Sequence, residues 1–147
     1  MSIDADSIRN AVNIGEYAFR STLLRGVVDL PNIQNIDQGA FEGTKITSVI
    51  NLGSVTKIPN GCFYNCKELT NIIIRPGITV IGSSAFFSTN LSNIILPHGF
   101  KTFGDGGTPI KGLCNNITYM QFPSTTTKIN FWDIYREGNP VTAFCVV

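Results

Sequence analysis

The chain has 147 residues, of which 14% are charged, and a formal net charge of +1. Its Lys and Arg are scattered, which excludes the basic patch of a nucleic-acid binder, and no apolar run reaches the ~18 residues of a membrane span. The length predicts one domain. The acidic, polar start Met1-Ser-Ile-Asp-Ala-Asp does not read as a secretory signal, so the expectations for its location are the cytosol, export by another route, or a signal lying beyond these residues.

Residues 1–13 read as an N-terminal cap. Ile8, Ala11 and Val12 stand at helical spacing with Asp6 or Ser7 as N-cap, which predicts a short helix. From residue 14 to 128 the chain repeats. Phe19, Phe41, Phe63 and Phe86 each stand five residues after Ile14, Ile36, Ile58 and Ile81, and directly after Ala18, Ala40, Cys62 and Ala85. The isoleucine column continues through Phe103 and Ile129, in steps of 22, 22, 23, 22 and 26 residues. Leu24, Ile46, Leu69, Leu91 and Ile117 make a second column, and Val27, Val49, Ile72, Ile94 and Met120 a third. Ile33, Val55, Ile78 and Phe100 make a fourth, which fails at Thr126.

Within each unit L-x-x-I-x-I alternates with period two and predicts a short strand. Gly, Pro, Asn and Ser follow it as turn residues, as in Arg75-Pro76-Gly77 and Leu96-Pro97-His98-Gly99. The chain then returns through I-G-x-x-A-F, with Ala and Phe pointing inward. No unit has enough apolar surface to fold alone, so stacked units must share a continuous core. The fifth unit departs, with Thr108 in the phenylalanine column; Phe103 in place of Ile refills part of that volume. Residues 129–147 read as a C-terminal cap. Val141-x-x-Phe144-x-Val146 predicts a final strand there, with Phe131, Trp132, Ile134 and Tyr135 over the last rung.

The pattern I-[GP]-x-x-[AC]-F…L-x-x-[IV]-x-[IL]-P resembles the BspA-like leucine-rich repeats, most closely over Ile58 to Phe86. Such repeats occur in surface proteins of anaerobic bacteria and parasitic protists. The resemblance implies a leucine-rich-repeat solenoid of about five 22–26-residue repeats, one short parallel strand each, with terminal caps. It further implies a role in adhesion or protein binding without identifying the partner; the expectation is a non-enzymatic module whose ligand is a protein, with an extracellular-matrix or host surface protein as the candidate class.

The first two units carry Asp29 and Asn51 where later ones carry Ile74, Leu96 and Phe122. Buried unpaired, both would be costly. A one-residue shift relieves this, turning Val28, Leu30, Ile50 and Leu52 inward and Asp29 and Asn51 outward.

Chemistry is sparsely signalled. Cys62 and Cys66 form a C-x3-C pair, but Cys62 stands in the alanine column and Cys66 reads as an insertion, while Cys114 and Cys145 are distant. A structural zinc needs four ligands, so ordinary thiols and no metal are expected. His98 reads as an exposed turn histidine. Gly104-Asp105-Gly106-Gly107 lacks the Lys and the strand-to-helix setting of a phosphate loop. Asn90-Leu91-Ser92 and Asn116-Ile117-Thr118 are glycosylation triplets that matter only in a secretory pathway. Cys145-Val146-Val147 is one residue short of a prenylation box. No catalytic constellation and no cofactor are expected.

The remaining candidate is the sheet face. The residue between two buried columns points outward, which gives Val28, Ile50, Ile73, Ile95 and Gln121, or Val27 and Val49 in the first two units if these shift. Asn71, Arg75, Asn93 and Tyr119 flank the stripe. An apolar patch with a polar rim marks a partner site. Cross-strand pairing within the sheet and contact between copies of the chain are the alternatives, as is an intracellular scaffold in place of an adhesion module.

Overall fold

The computed structural model describes residues 3–104 and 118–124 and the backbone of 143–146. In chain order the strands are β1 (Ile3–Asp4), β2 (Asn13–Ile14), β3 (Leu24–Asp29), β4 (Asn35–Ile36), β5 (Lys45–Asn51) and β6 (Lys57–Ile58). They continue as β7 (Asn71–Ile72), β8 (Val80–Ile81), β9 (Asn93–Ile95), β10 (Thr102–Phe103), β11 (Tyr119–Phe122) and β12 (Ala143–Val146). Among the described residues every pairing is parallel. The odd-numbered strands form one wall in the order β1-β3-β5-β7, and β9 and β11 continue it to β12 as a separately bonded group. The second wall holds β2-β4 and β6-β8-β10. The chain is thus a β-solenoid of leucine-rich-repeat type. Each turn adds a two-residue strand at the isoleucine column to the strand expected; so short a strand leaves no visible alternation.

The return segments make a third side with a hydrogen-bond ladder of their own. Tyr17, Phe19 and Ser21 donate their amides to the carbonyls of Gln38, Ala40 and Glu42 at 3.0, 2.9 and 2.7 Å. Gly39, Phe41 and Gly43 repeat this one rung on, to Asn60, Cys62 and Tyr64 at 3.0, 2.9 and 2.8 Å. Left-handed backbone allows it: Tyr17, Gly39, Gly61 and Ser84 share one positive-φ column, and Ser21, Gly43, Asn65 and Ser88 another. The ladder satisfies buried amides that no strand could reach.

Inside it runs the aromatic spine. Phe19, Phe41, Phe63 and Phe86 stack at centroid separations of 5.7, 5.4 and 5.7 Å, with rings within 15° of parallel. Phe41, Phe63 and Phe86 are fully buried. Phe19 is half-buried, and Ala18, expected inside, is exposed. The reason is position, because no return segment precedes the first rung among the described residues. At the far end Phe103 tilts against Phe100 at 4.8 Å and meets Phe122 edge-on at 6.5 Å. Thr108 and the cap residues Phe131, Trp132, Ile134 and Tyr135 lie outside the described residues.

A threonine column backs the spine. Thr22, Thr44 and Thr89 turn their hydroxyls to the carbonyls of Phe19, Phe41 and Phe86 at 2.8–2.9 Å. Cys66 stands in this column, three residues after Phe63, and is not the inserted residue expected; the extra residue falls at Lys67-Glu68. Its thiol donates to the Phe41 carbonyl at 3.0 Å and lies 3.3 Å from Thr44 Oγ1.

The N-terminal segment differs from the expected helix. Ile3 and Asp4 pair with Leu24 and Arg25, and only Ala5–Ile8 coil, as one 3-10 turn capped by Asp4 rather than Asp6 or Ser7. The following residues are taken up by the second wall, where the Val12 carbonyl accepts from Gln34 and β2 pairs with β4, while β1 covers the open edge of β3.

The one-residue shift occurs in the first unit only. β3 alternates regularly, with Leu24, Val28 and Leu30 inward, while the β3–β5 register slips after Gly26 and again after Val28, each time skipping one residue of β5, Thr47 and Ile50. Val28 therefore pairs with Val49 and is fully buried, while Val27 faces out. The second unit has Ser48 opposite Val27 and no glycine in β5. It keeps Val49 inside and Ile50 outside, and accommodates its extra residue at Asn51 before Leu52 turns in. Neither polar residue is left unpaired: Asp29 forms a salt bridge with Arg9, and Asn51 Oδ1 accepts from the Gly53 amide at 3.1 Å and from Arg75 at 3.0 Å.

Candidate functional site: the open sheet face

Alternation along the strands of the first wall puts one side chain per rung on the outer surface. Val27, Ile50, Ile73 and Ile95 are exposed by 45, 40, 49 and 55% on four successive rungs. Single exposed apolar side chains are ordinary; a contiguous line of them is the mark of an interaction surface. Gln121, paired with Ile95, extends the line and is half-buried. Val28, a candidate on the unshifted register, is excluded from this surface because it alternates with Val27 and lies in the core opposite Val49.

The polar rim divides in two. Asn71 and Asn93 are exposed, each one residue before an inward isoleucine. Tyr119 pairs with Asn93 and donates its hydroxyl to Gln121 Oε1 at 3.3 Å. Together they give the stripe an amide-rich edge. Arg75 is different, because its guanidinium bonds Asn51 Oδ1 and the Gly53 carbonyl across the turn. It pins the bulge of the previous rung, and its charge faces the fold.

The thiols are set in the core. Burial, with some help from the neighbouring Cys66, pushes the Cys62 thiol well above the ordinary range. Burial likewise raises Cys66, partly offset by its hydrogen bonds with Thr44. Both are free and protonated at neutral pH, and a protonated thiol is neither nucleophile nor ligand. Among the described residues no group of three or more His, Cys, Asp or Glu is placed to hold a metal ion, and no helix is long and apolar enough to cross a membrane. His98 and Asn90 are exposed. Gly104 turns at positive φ; Asp105 to Gly107, Cys114 and Asn116 lie outside the described residues, and Cys145 is within β12.

Parallel strands on successive rungs, a stacked spine and an open sheet face define a leucine-rich-repeat solenoid, an architecture used for protein–protein interaction. The model of the BspA-type leucine-rich-repeat region, in six copies, matches residues 3–107. The chain belongs to that family. The match starts at Ile3, where β1 already pairs in the repeat register. No curated protein and no solved structure matches the chain.

Proposed function

We propose that the chain is a non-enzymatic binding module that recognises a protein partner through its sheet face. The observation that carries this reading is the stripe of Val27, Ile50, Ile73 and Ile95, exposed on four adjacent rungs beside Asn71, Asn93, Tyr119 and Gln121. An apolar centre with a polar rim is the anatomy of a protein interface. Rungs repeat at about 5 Å, which suits an elongated, apolar strip on the partner. Membership of the BspA-type family supports adhesion at a cell surface, with an extracellular-matrix or host surface protein as the ligand class.

The test is a screen of the purified chain against immobilised extracellular-matrix proteins, with the Ile73→Lys/Ile95→Lys variant alongside. Binding by the wild type and its loss in the variant, at unchanged melting temperature, is the expected result. Loss of stability instead assigns the stripe to cross-strand pairing, worth about 0.2–1 kcal/mol per pair. Absence of binding by either protein removes matrix adhesion and leaves an intracellular partner, or a second copy of the chain, to be sought by pull-down and sedimentation.

A further inference from the structure

The return side carries a groove of about 250 Å³ between the second and third rungs, away from the sheet face. Tyr17, Gln38, Gly39, Glu42, Asn60, Gly61, Tyr64 and Ser83 line it. That volume is too small for a large ligand and fits one side chain.

Its shape follows from one repeat column. Tyr17, Gly39, Gly61 and Ser84 occupy equivalent left-handed positions. Tyr17 lies against Gly39, so that a Cβ built there would run into the Cδ1 and Cε1 atoms of its ring. Arg20 covers that ring at 5.0 Å from its centroid. Gln38 Nε2 donates to the Tyr17 hydroxyl at 2.7 Å. One rung on, Gly39 has no side chain to lay over Gly61, and a Cβ on Gly61 would meet only the Cβ of Tyr64, at 3.8 Å. The floor that holds a phenol ring in one rung is therefore open in the next.

The surroundings of that open floor repeat as well. Asn60 stands in the column of Gln38, with its Oδ1 on the Ser83 amide at 2.9 Å. Tyr64 stands in the column of Arg20 and stacks on Phe87 at 5.2 Å, which holds its ring as a fixed wall. Glu42 is held on the same side by Arg20 at 3.1 Å. The rim thus carries amides on one side, and an aromatic ring with a carboxylate on the other.

We propose that the groove over Gly61 receives a tyrosine side chain from a protein partner, seated as Tyr17 is seated on Gly39. The chain supplies its own template for the ligand, and the hydroxyl is what the amide-bearing rim reads. The site is separate from the sheet stripe and stands or falls independently of it.

The experiment is a titration of the ¹⁵N-labelled chain with N-acetyl-tyrosinamide, with N-acetyl-phenylalaninamide and methyl β-glucoside as comparators. Saturable shifts centred on the Gly39, Gly61 and Tyr64 amides are expected, and about threefold or more weaker binding without the hydroxyl, the loss of one hydrogen bond. Gly61→Ser should abolish binding, since a Cβ excludes a ring seated this way, and Ser84 already adopts the same backbone at φ 55°. Tyr64→Ala removes the wall without touching that backbone and should weaken binding at least threefold, which keeps the test decisive if Gly61→Ser fails to fold. No saturable shift with tyrosinamide, equal or tighter binding of the glucoside, or undiminished binding by a folded variant would each overturn the proposal.

Discussion

Phe63→Ala should cost about 3–5 kcal/mol, the range for a buried aromatic ring. Phe63 is fully buried and stacked on both faces, by Phe41 at 5.4 Å and Phe86 at 5.7 Å. Area burial alone contributes about 1.5–3 kcal/mol, and each of the two stacks adds about 0.5–1.5 kcal/mol. The sum brackets the same range. Phe19 has one stacked neighbour and a half-exposed ring, so half the area and one stack predict about 1–3 kcal/mol for Phe19→Ala. The pair is thus an internal comparison of one residue type in one column. Urea unfolding followed by far-ultraviolet circular dichroism measures both, and heating should lower the Phe63→Ala melting temperature by about 6–20 °C. A Phe63→Ala variant within about 1 kcal/mol of wild type, or one more stable than Phe19→Ala, would refute the spine as the axis of stability.

Gly82→Ala should destabilise by about 1–3 kcal/mol or more, the usual cost of overpacking. Its Cβ would run into the backbone of Pro59 and Asn60 on the preceding rung, whereas a Cβ on Gly15, in the same column, meets nothing within 4 Å. Gly15→Ala should therefore melt with the wild type, and equal melting of the two variants would contradict the packing. Arg75→Ala should lower stability by roughly 1–2 kcal/mol through loss of charged hydrogen bonds to Asn51 and Gly53, while Asn71→Ala, on the exposed rim, should not; thermal melts of the two separate a pin from a contact residue. The thiols make stability fall in alkali. Their folded pKa values lie above the ordinary 9.0, so the folded state holds its protons longer than the unfolded chain. The stabilisation is complete below about pH 9 and is lost as pH rises toward the folded values. Urea midpoints at pH 7 and pH 10 should show that fall, reduced in Cys62→Ala, and a pH-independent midpoint would count against deep burial.

Most of the scaffold was legible because its constraint is local and periodic. Each rung must bury a Leu- or Ile-type residue, an inward Ile or Val, and a Phe, at nearly constant spacing, so the columns Leu24 to Leu91 and Phe41 to Phe86 declare themselves by repetition. The threonine column carried the same signal, three residues after each Phe, and would have placed Cys66 correctly. The stripe at Ile50, Ile73 and Ile95 follows from alternation once the inward neighbours are known.

The sequence by itself determined the period, the class of solenoid and which columns are buried, because burying a repeated apolar set admits few registers. Only the tertiary structure decided how the first two rungs reconcile their registers, because this depends on how one strand pairs with the next: Thr47 and Ile50 of β5 are skipped against β3, and Asn51 with Arg75 secures the turn that follows. It also decided that Arg75 serves the fold and that Gly61 lies open, since a long side chain and a missing one have their effect on a neighbouring rung more than 20 residues away in the chain.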